Sequence, residues 1–105
     1  MGRIKDKRNG IPSHIRVGAA MYKIVINKDK LIEDGSDGYC NPADSVLVIN
    51  SEVGPQRKWQ VLVHELLHAI EVQYNIKLNH RKINQLESAL YQLLKDNRIC
   101  LQKIK

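Results

Sequence analysis

A chain of 105 residues has room for one domain with a modest core, in which a bound metal would add usefully to stability. The formal charge of +6 permits acidic partners, but the basic residues are spread over both ends with no interleaved aromatics, so a solvated basic surface is expected rather than a nucleic-acid interface. Two cysteines, Cys40 and Cys100, exclude a disulfide scaffold, and no apolar run is long enough to span a membrane.

In chain order, residues 1–12 open with Arg3, Lys5, Lys7 and Arg8 and almost no apolar run. That is neither a signal peptide nor an anchor, so the expectation is a basic, flexible start and a cytoplasmic protein. His14 to Val17 and Met21 to Asn27 read as strands. Gly35-Ser36-Asp37-Gly38 marks a turn, and Tyr39 and Cys40 add a short strand. Ser45 to Asn50, alternating Val46 and Val48 against Leu47 and Ile49, reads as another strand.

From Pro55 the period changes. Proline after Gly54 suits the first turn of a helix, and Val63, Leu66, Leu67, Ile70 and Tyr74 recur at helical spacing, which predicts a buried helix over 55–75. A turn through Asn75 to Asn79 leads to a second helix over 80–97, with Ile83, Leu86, Leu90, Leu93 and Leu94 as its apolar stripe. The tail over 98–105 alternates charge with Ile99, Leu101 and Ile104, a pattern equally compatible with fraying, packing back or covering a cleft. Strands followed by two helices predict an α+β fold over 1–105, with a small three- to four-stranded sheet packed on the first helix.

Within the first helix, His64-Glu65-Leu66-Leu67-His68 spells H-E-x-x-H. Residues four apart share a helix face, so the two imidazoles can meet one zinc ion with the Glu65 carboxylate beside a water on it. Without a metal, such a pair needs polar partners for four ring nitrogens on a mostly apolar helix, which is costly. Catalytic zinc takes a third protein ligand, and Glu87 is the candidate: a carboxylate within the apolar stripe of the second helix calls for a compensating partner. His80, seven residues earlier on the same face, is the rival, as a ligand, as a hydrogen-bond partner behind one, or as a stabiliser of transition-state charge, with a surface residue at the helix entry as its plainer role. Glu71 is placed to fix the tautomer of a ligand histidine, although a residue there is more often a solvated or salt-bridged glutamate. Tyr74 and Tyr91 are alternative hydroxyl donors, each also explained as a core-edge aromatic, and Cys40 is an alternative ligand in a latent form.

These residues resemble a small glutamate-zincin, a metallopeptidase class in which H-E-x-x-H is completed by a glutamate on the next helix. The resemblance implies His64, His68 and Glu87 as zinc ligands and Glu65 as general base. The segments Val-Gly-Ala-Ala-Met-Tyr-Lys-Ile-Val-Ile, Asp-Gly-Tyr-Cys-Asn, Ser-Val-Leu-Val-Ile-Asn and Leu-Tyr-Gln-Leu-Leu-Lys-Asp-Asn are similar to small metallopeptidase-like proteins of bacteriophages and prophages. The metzincin pattern is excluded, because no Gly-x-x-His follows His68 at the required spacing, and the chain is too short to carry most of the usual substrate-binding domain. By the resemblance, an edge strand around Gly38 to Ile49 binds extended peptide by strand addition.

The expected function is therefore zinc-dependent hydrolysis of a peptide or protein substrate. The alternative is a non-catalytic or latent zinc-binding module that binds a protein or nucleic acid, since a site does not guarantee turnover.

Overall fold

The computed structural model describes residues 8–27 and 36–97. Four strands, β1 (His14–Val17), β2 (Ala20–Asn27), β3 (Gly38–Asn41) and β4 (Val46–Asn50), precede two helices, α1 (Pro55–Gln73) and α2 (His80–Asp96). The sheet order is β1-β2-β4-β3, an α+β architecture as the chain order predicts. β1 and β2 form a hairpin, β2 and β4 run parallel, and β3 pairs antiparallel with β4 at the edge. The parallel pairing makes the sheet mixed.

The hairpin closes through two residues, Gly18 and Ala19, with Gly18 at φ 59°. A two-residue turn with a left-handed first position is where glycine is favoured. The register sets Ile24 beside Leu47 and Ile26 beside Ile49, so one face of the sheet is apolar. Tyr22, Ile24, Leu47 and Ile49 are fully buried on it, with Val61, Leu62 and Ala69 of α1 in the same core. α1 is also apolar on a second side: Val63 and Leu67 pack with Ile83 of α2, flanked by Leu78, Leu90 and Leu94. The motif helix is thus sandwiched between the sheet and α2.

Both helices have identifiable ends. Pro55 follows the N-cap Gly54. At the other end of α1, Ile76 N–H bonds to Glu71 O at 2.9 Å and Asn75 N–H reaches Val72 O at 3.4 Å, with Asn75 left-handed at φ 54°. That is a Schellman stop with asparagine in the glycine position. Asn79 caps α2, its Oδ1 accepting from Lys82 N–H at 2.8 Å.

Residues 8–12, included in the expected flexible start over 1–12, are tied to the rest of the fold. Ile11 is buried in the core, and the Arg8 guanidinium donates to the carbonyls of Ile11, Pro12 and Ile24 at 2.9, 2.8 and 2.7 Å. Trp59 Nε1 donates to Asn9 O at 2.9 Å. These bonds bind residues 8–12 to the sheet and to α1, because a long cation satisfying three carbonyls outweighs the polarity that suggested disorder. The rest of the basic start and the tail over 98–105 lie outside the described residues, as does Gly35 of the expected turn. Among the described residues, no helix is long and apolar enough to cross a membrane.

Candidate metal centre and cleft

His64 and His68 stand on adjacent turns of α1, ring centroids 5.0 Å apart and planes inclined at 68°. Each ring faces its own carboxylate. His64 Nδ1 lies 2.8 Å from Glu87 Oε1, and His68 Nδ1 lies 2.9 Å from Glu71 Oε1. An ionised carboxylate only accepts hydrogen bonds, so both rings donate from Nδ1, and in the neutral tautomer each Nε2 carries the lone pair a metal requires.

Glu65, between the two histidines in sequence, is 8% exposed. Burial pushes its carboxyl above the usual range; the charge of His68 pulls it back and that of Glu87 adds to the rise. Glu71 moves the other way. The Leu78 N–H, 2.7 Å from Glu71 Oε2, lowers its pKa most; burial opposes it, and the hydrogen bond and charge of His68 and then the charge of His80 lower it further.

Two clefts meet at this point. The larger, about 620 Å³, runs between β3 and the end of α1 and is lined by Cys40, Pro42, Glu65, His68, Val72 and Ile76 among others. The smaller, about 200 Å³, is lined by Asp37, Arg57, Val61 and His64 on the other side. Gly38 and Glu65 belong to both, so the strand edge and the buried carboxylate form the saddle between them.

β3 comes close because Gly38 has no side chain. A Cβ there would stand 2.5 Å from Val48 O and 2.6 Å from Val61 Cγ1. The bond from Asn50 N–H to Asp37 O makes residues 37 and 50 a hydrogen-bonded pair; by alternation Tyr39 points its backbone groups at Val48, and those of Gly38 and Cys40 face outward at the edge.

The residues singled out from sequence are brought together unequally. His64, Glu65, His68, Glu71 and Glu87 converge. Glu87 arrives at His64 Nδ1 rather than beside both histidines, because α2 crosses α1 with residue 87 behind the His64 ring. His80 is the exposed first residue of α2, near enough to Glu71 for its charge to act there. Tyr74 is an exposed C-cap of α1, and neither it nor Tyr91 lines the two clefts. Cys40 lines the larger cleft, its thiol pushed up to about 11 by burial and by the Glu65 charge.

Arg57 is the participant that sequence reasoning missed. Its Nε lies 2.8 Å from Asp37 Oδ2 and its Nη1 3.5 Å from Glu87 Oε2, tying the approach to β3 to the carboxylate on His64. A signal existed: Arg57 precedes His64 by seven residues, two helical turns, and so shares its stripe.

The family model for the IrrE N-terminal-like domain, Peptidase_M78, matches residues 19–96. The chain belongs to this peptidase family. The match runs from the β1–β2 turn to the last residue of α2 and so takes in the whole cleft. No curated protein and no solved structure gives a significant match.

The donor set fits a zinc ion in part. Two imidazoles one helical turn apart, with Nδ1 committed and Nε2 available, are the ligand chemistry zinc requires. Among the described residues, no group of three His, Cys, Asp or Glu side chains is gathered closely enough to hold a metal ion.

Proposed function

We propose that this member of the peptidase family is a zinc-dependent peptidase that cleaves an extended peptide segment laid along the edge of β3. The observation that carries the reading is the position of Glu65, a buried carboxylate at the saddle of two clefts, beside two histidines whose tautomers are set by their own acceptors. His64 and His68 would hold the zinc through Nε2. Bound there, zinc supplies a Lewis acid and brings the pKa of a water toward neutrality.

The chain's own groups account for the rest. Glu65 accepts the proton of the attacking water and passes it to the leaving amine; a carboxyl raised above its ordinary range is better matched to both transfers near neutral pH. The outward N–H and C=O groups of Gly38 and Cys40 offer main-chain hydrogen bonds to a substrate strand, and the clefts on either side accept its side chains. The apolar wall of Val72 and Ile76 suits a bulky apolar residue in the larger one.

The test is Glu65→Gln. Wild type loaded with zinc is screened against mixed peptides and unfolded proteins, with products read by mass spectrometry. The variant should keep its zinc and its circular dichroism spectrum and lose about 10²- to 10⁴-fold in kcat/KM. Equal rates in the two proteins would remove the general base. Stoichiometric zinc with no hydrolysis by wild type would leave a binding module in place of an enzyme.

A further inference from the structure

The chain that joins the two helices carries basic residues that nothing in the fold answers. Lys77, His80, Arg81 and Lys82 are four among six consecutive residues, and all are exposed. The last three open α2, whose first turn holds no acidic residue, and residues 83–86, three and four further on, read Ile-Asn-Gln-Leu. A helix start favours carboxylates over cations, and the acids one turn on that would offset these charges are missing. Among the described residues, the ion pairs are those of Arg57, His64 and His68, and Lys77, Arg81 and Lys82 take part in none. An anionic partner would relieve this crowding of like charge.

The basic turn stands at the outer end of the larger cleft. Lys77 lines it together with Val72 and Ile76, whose apolar side chains are left 54% and 45% exposed. The backbone at Lys77 is held on both sides, because Ile76 N–H bonds to Glu71 O at 2.9 Å and Leu78 N–H to Glu71 Oε2 at 2.7 Å. From Glu65 at the saddle to Val72 is seven residues of helix, a rise of about 10 Å, which an extended peptide covers in about three residues. The cleft therefore changes sign along its length: a buried carboxylate at the inner end, an apolar wall, then an unpaired ammonium. An apolar wall between the two charges is of no use to a phosphate backbone and suits a peptide.

Resting on the peptidase reading above, we propose that the substrate is a segment with a bulky apolar residue about three positions from the cleaved bond and acidic residues beyond it. The apolar side chain packs on Val72 and Ile76, and the acids meet Lys77 and the basic start of α2. Lys77 is the specificity-determining residue, and Glu65 keeps acids from the inner end.

The experiment uses three fluorescein-labelled peptides that share one apolar residue and carry Asp-Glu, Asn-Gln or Lys-Lys beyond it, each made in both chain orders. Binding is read by anisotropy for wild type, Lys77→Glu and the triple Lys77→Glu/Arg81→Glu/Lys82→Glu, and hydrolysis is read on the zinc-loaded proteins. Wild type should bind the Asp-Glu peptide about 10-fold more tightly than the Asn-Gln peptide, as expected for two or three exposed ion pairs. The margin should shrink as salt rises from about 50 mM to about 500 mM. Lys77→Glu should narrow it, and the triple variant should prefer the Lys-Lys peptide. Equal affinity for the three peptides, no binding of any, or an unchanged margin in the triple variant would overturn the inference. So would an oligonucleotide that displaces the acidic peptide at lower concentration than polyglutamate of equal charge, which would assign the basic turn to nucleic acid. Circular dichroism checks folding, and should the triple variant fail it, the peptide series on wild type and Lys77→Glu decides. Preference for the acidic peptide without hydrolysis would remove the peptidase reading and keep the recognition; hydrolysis of all three at equal kcat/KM would keep the peptidase and overturn the inference.

Discussion

Cys40 and Glu65 share a cleft, and the Glu65 carboxylate opposes ionisation of the thiol. Burial and the neighbouring carboxylate raise the Cys40 thiol from 9.0 to about 11, which lowers its thiolate population near pH 8 by about 100-fold. The thiolate is the nucleophile, so Cys40 should be sluggish despite lining an open cleft. In a Cys100→Ser background, alkylation by iodoacetamide at pH 8 should run about two orders of magnitude slower than for a free thiol of ordinary pKa. Glu65→Gln removes the charge but not the burial, so it should recover only part of that rate; full recovery would make the carboxylate, not desolvation, the dominant cause. A rate equal to that of an exposed thiol would show that Cys40 is not desolvated.

At the scale of elements, β3 and α1 meet over a glycine. An added methyl at Gly38 would collide with backbone on one side, Val48 O, and with a branched side chain on the other, Val61 Cγ1. Neither gives way cheaply, and overpacking of this kind costs about 1–3 kcal/mol. Gly38→Ala should lower the melting temperature in proportion and, by pushing the edge strand off the helix, weaken binding of a non-cleavable peptide beyond what stability explains. An unchanged melting temperature would mean that β3 is free to shift.

The elements themselves were largely legible. Strand and helix signals are local: alternation around Leu47 and Ile49, the Gly54-Pro55 start, and the apolar spacing of α2 placed boundaries within one or two residues, with helix 55–75 observed as Pro55–Gln73 and Tyr39-Cys40 growing into Gly38–Asn41. The close set of His64, Glu65 and His68 followed from helical spacing alone. What sequence could not carry was direction and side. Nothing in Met21–Asn27 or Val46–Asn50 states that they pair parallel, because the strand between them in sequence moves to the edge. Likewise the stripe that marked Glu87 as facing α1 does not say which ring nitrogen it meets; that depends on the crossing of two helices.

The molecule as a whole is built on two apolar clusters that share α1. The sheet side is large and deeply buried, whereas α2 is held through a smaller group centred on Val63, Leu67 and Ile83, with Leu86 and Leu93 left exposed on its outer side at 39% and 52%. An element docked on one side by few apolar contacts opens at lower free energy than the core it leans on. Ile83 is 1% exposed, so Ile83→Ala removes the centre of the smaller cluster and should cost about 2–5 kcal/mol. The loss should be uneven. Native-state hydrogen exchange should show the amides of α2 exchanging faster by the full cost, while those of β2 and β4 change less, because the sheet keeps Leu62 and Ala69 of α1 after α2 has left. Uniform acceleration across α2 and the sheet would instead mean one cooperative unit. Since Glu87 travels with α2, the uneven result would place the carboxylate behind His64 on the least stable element of the fold, and the orientation of that ring would depend on the docking of a single helix.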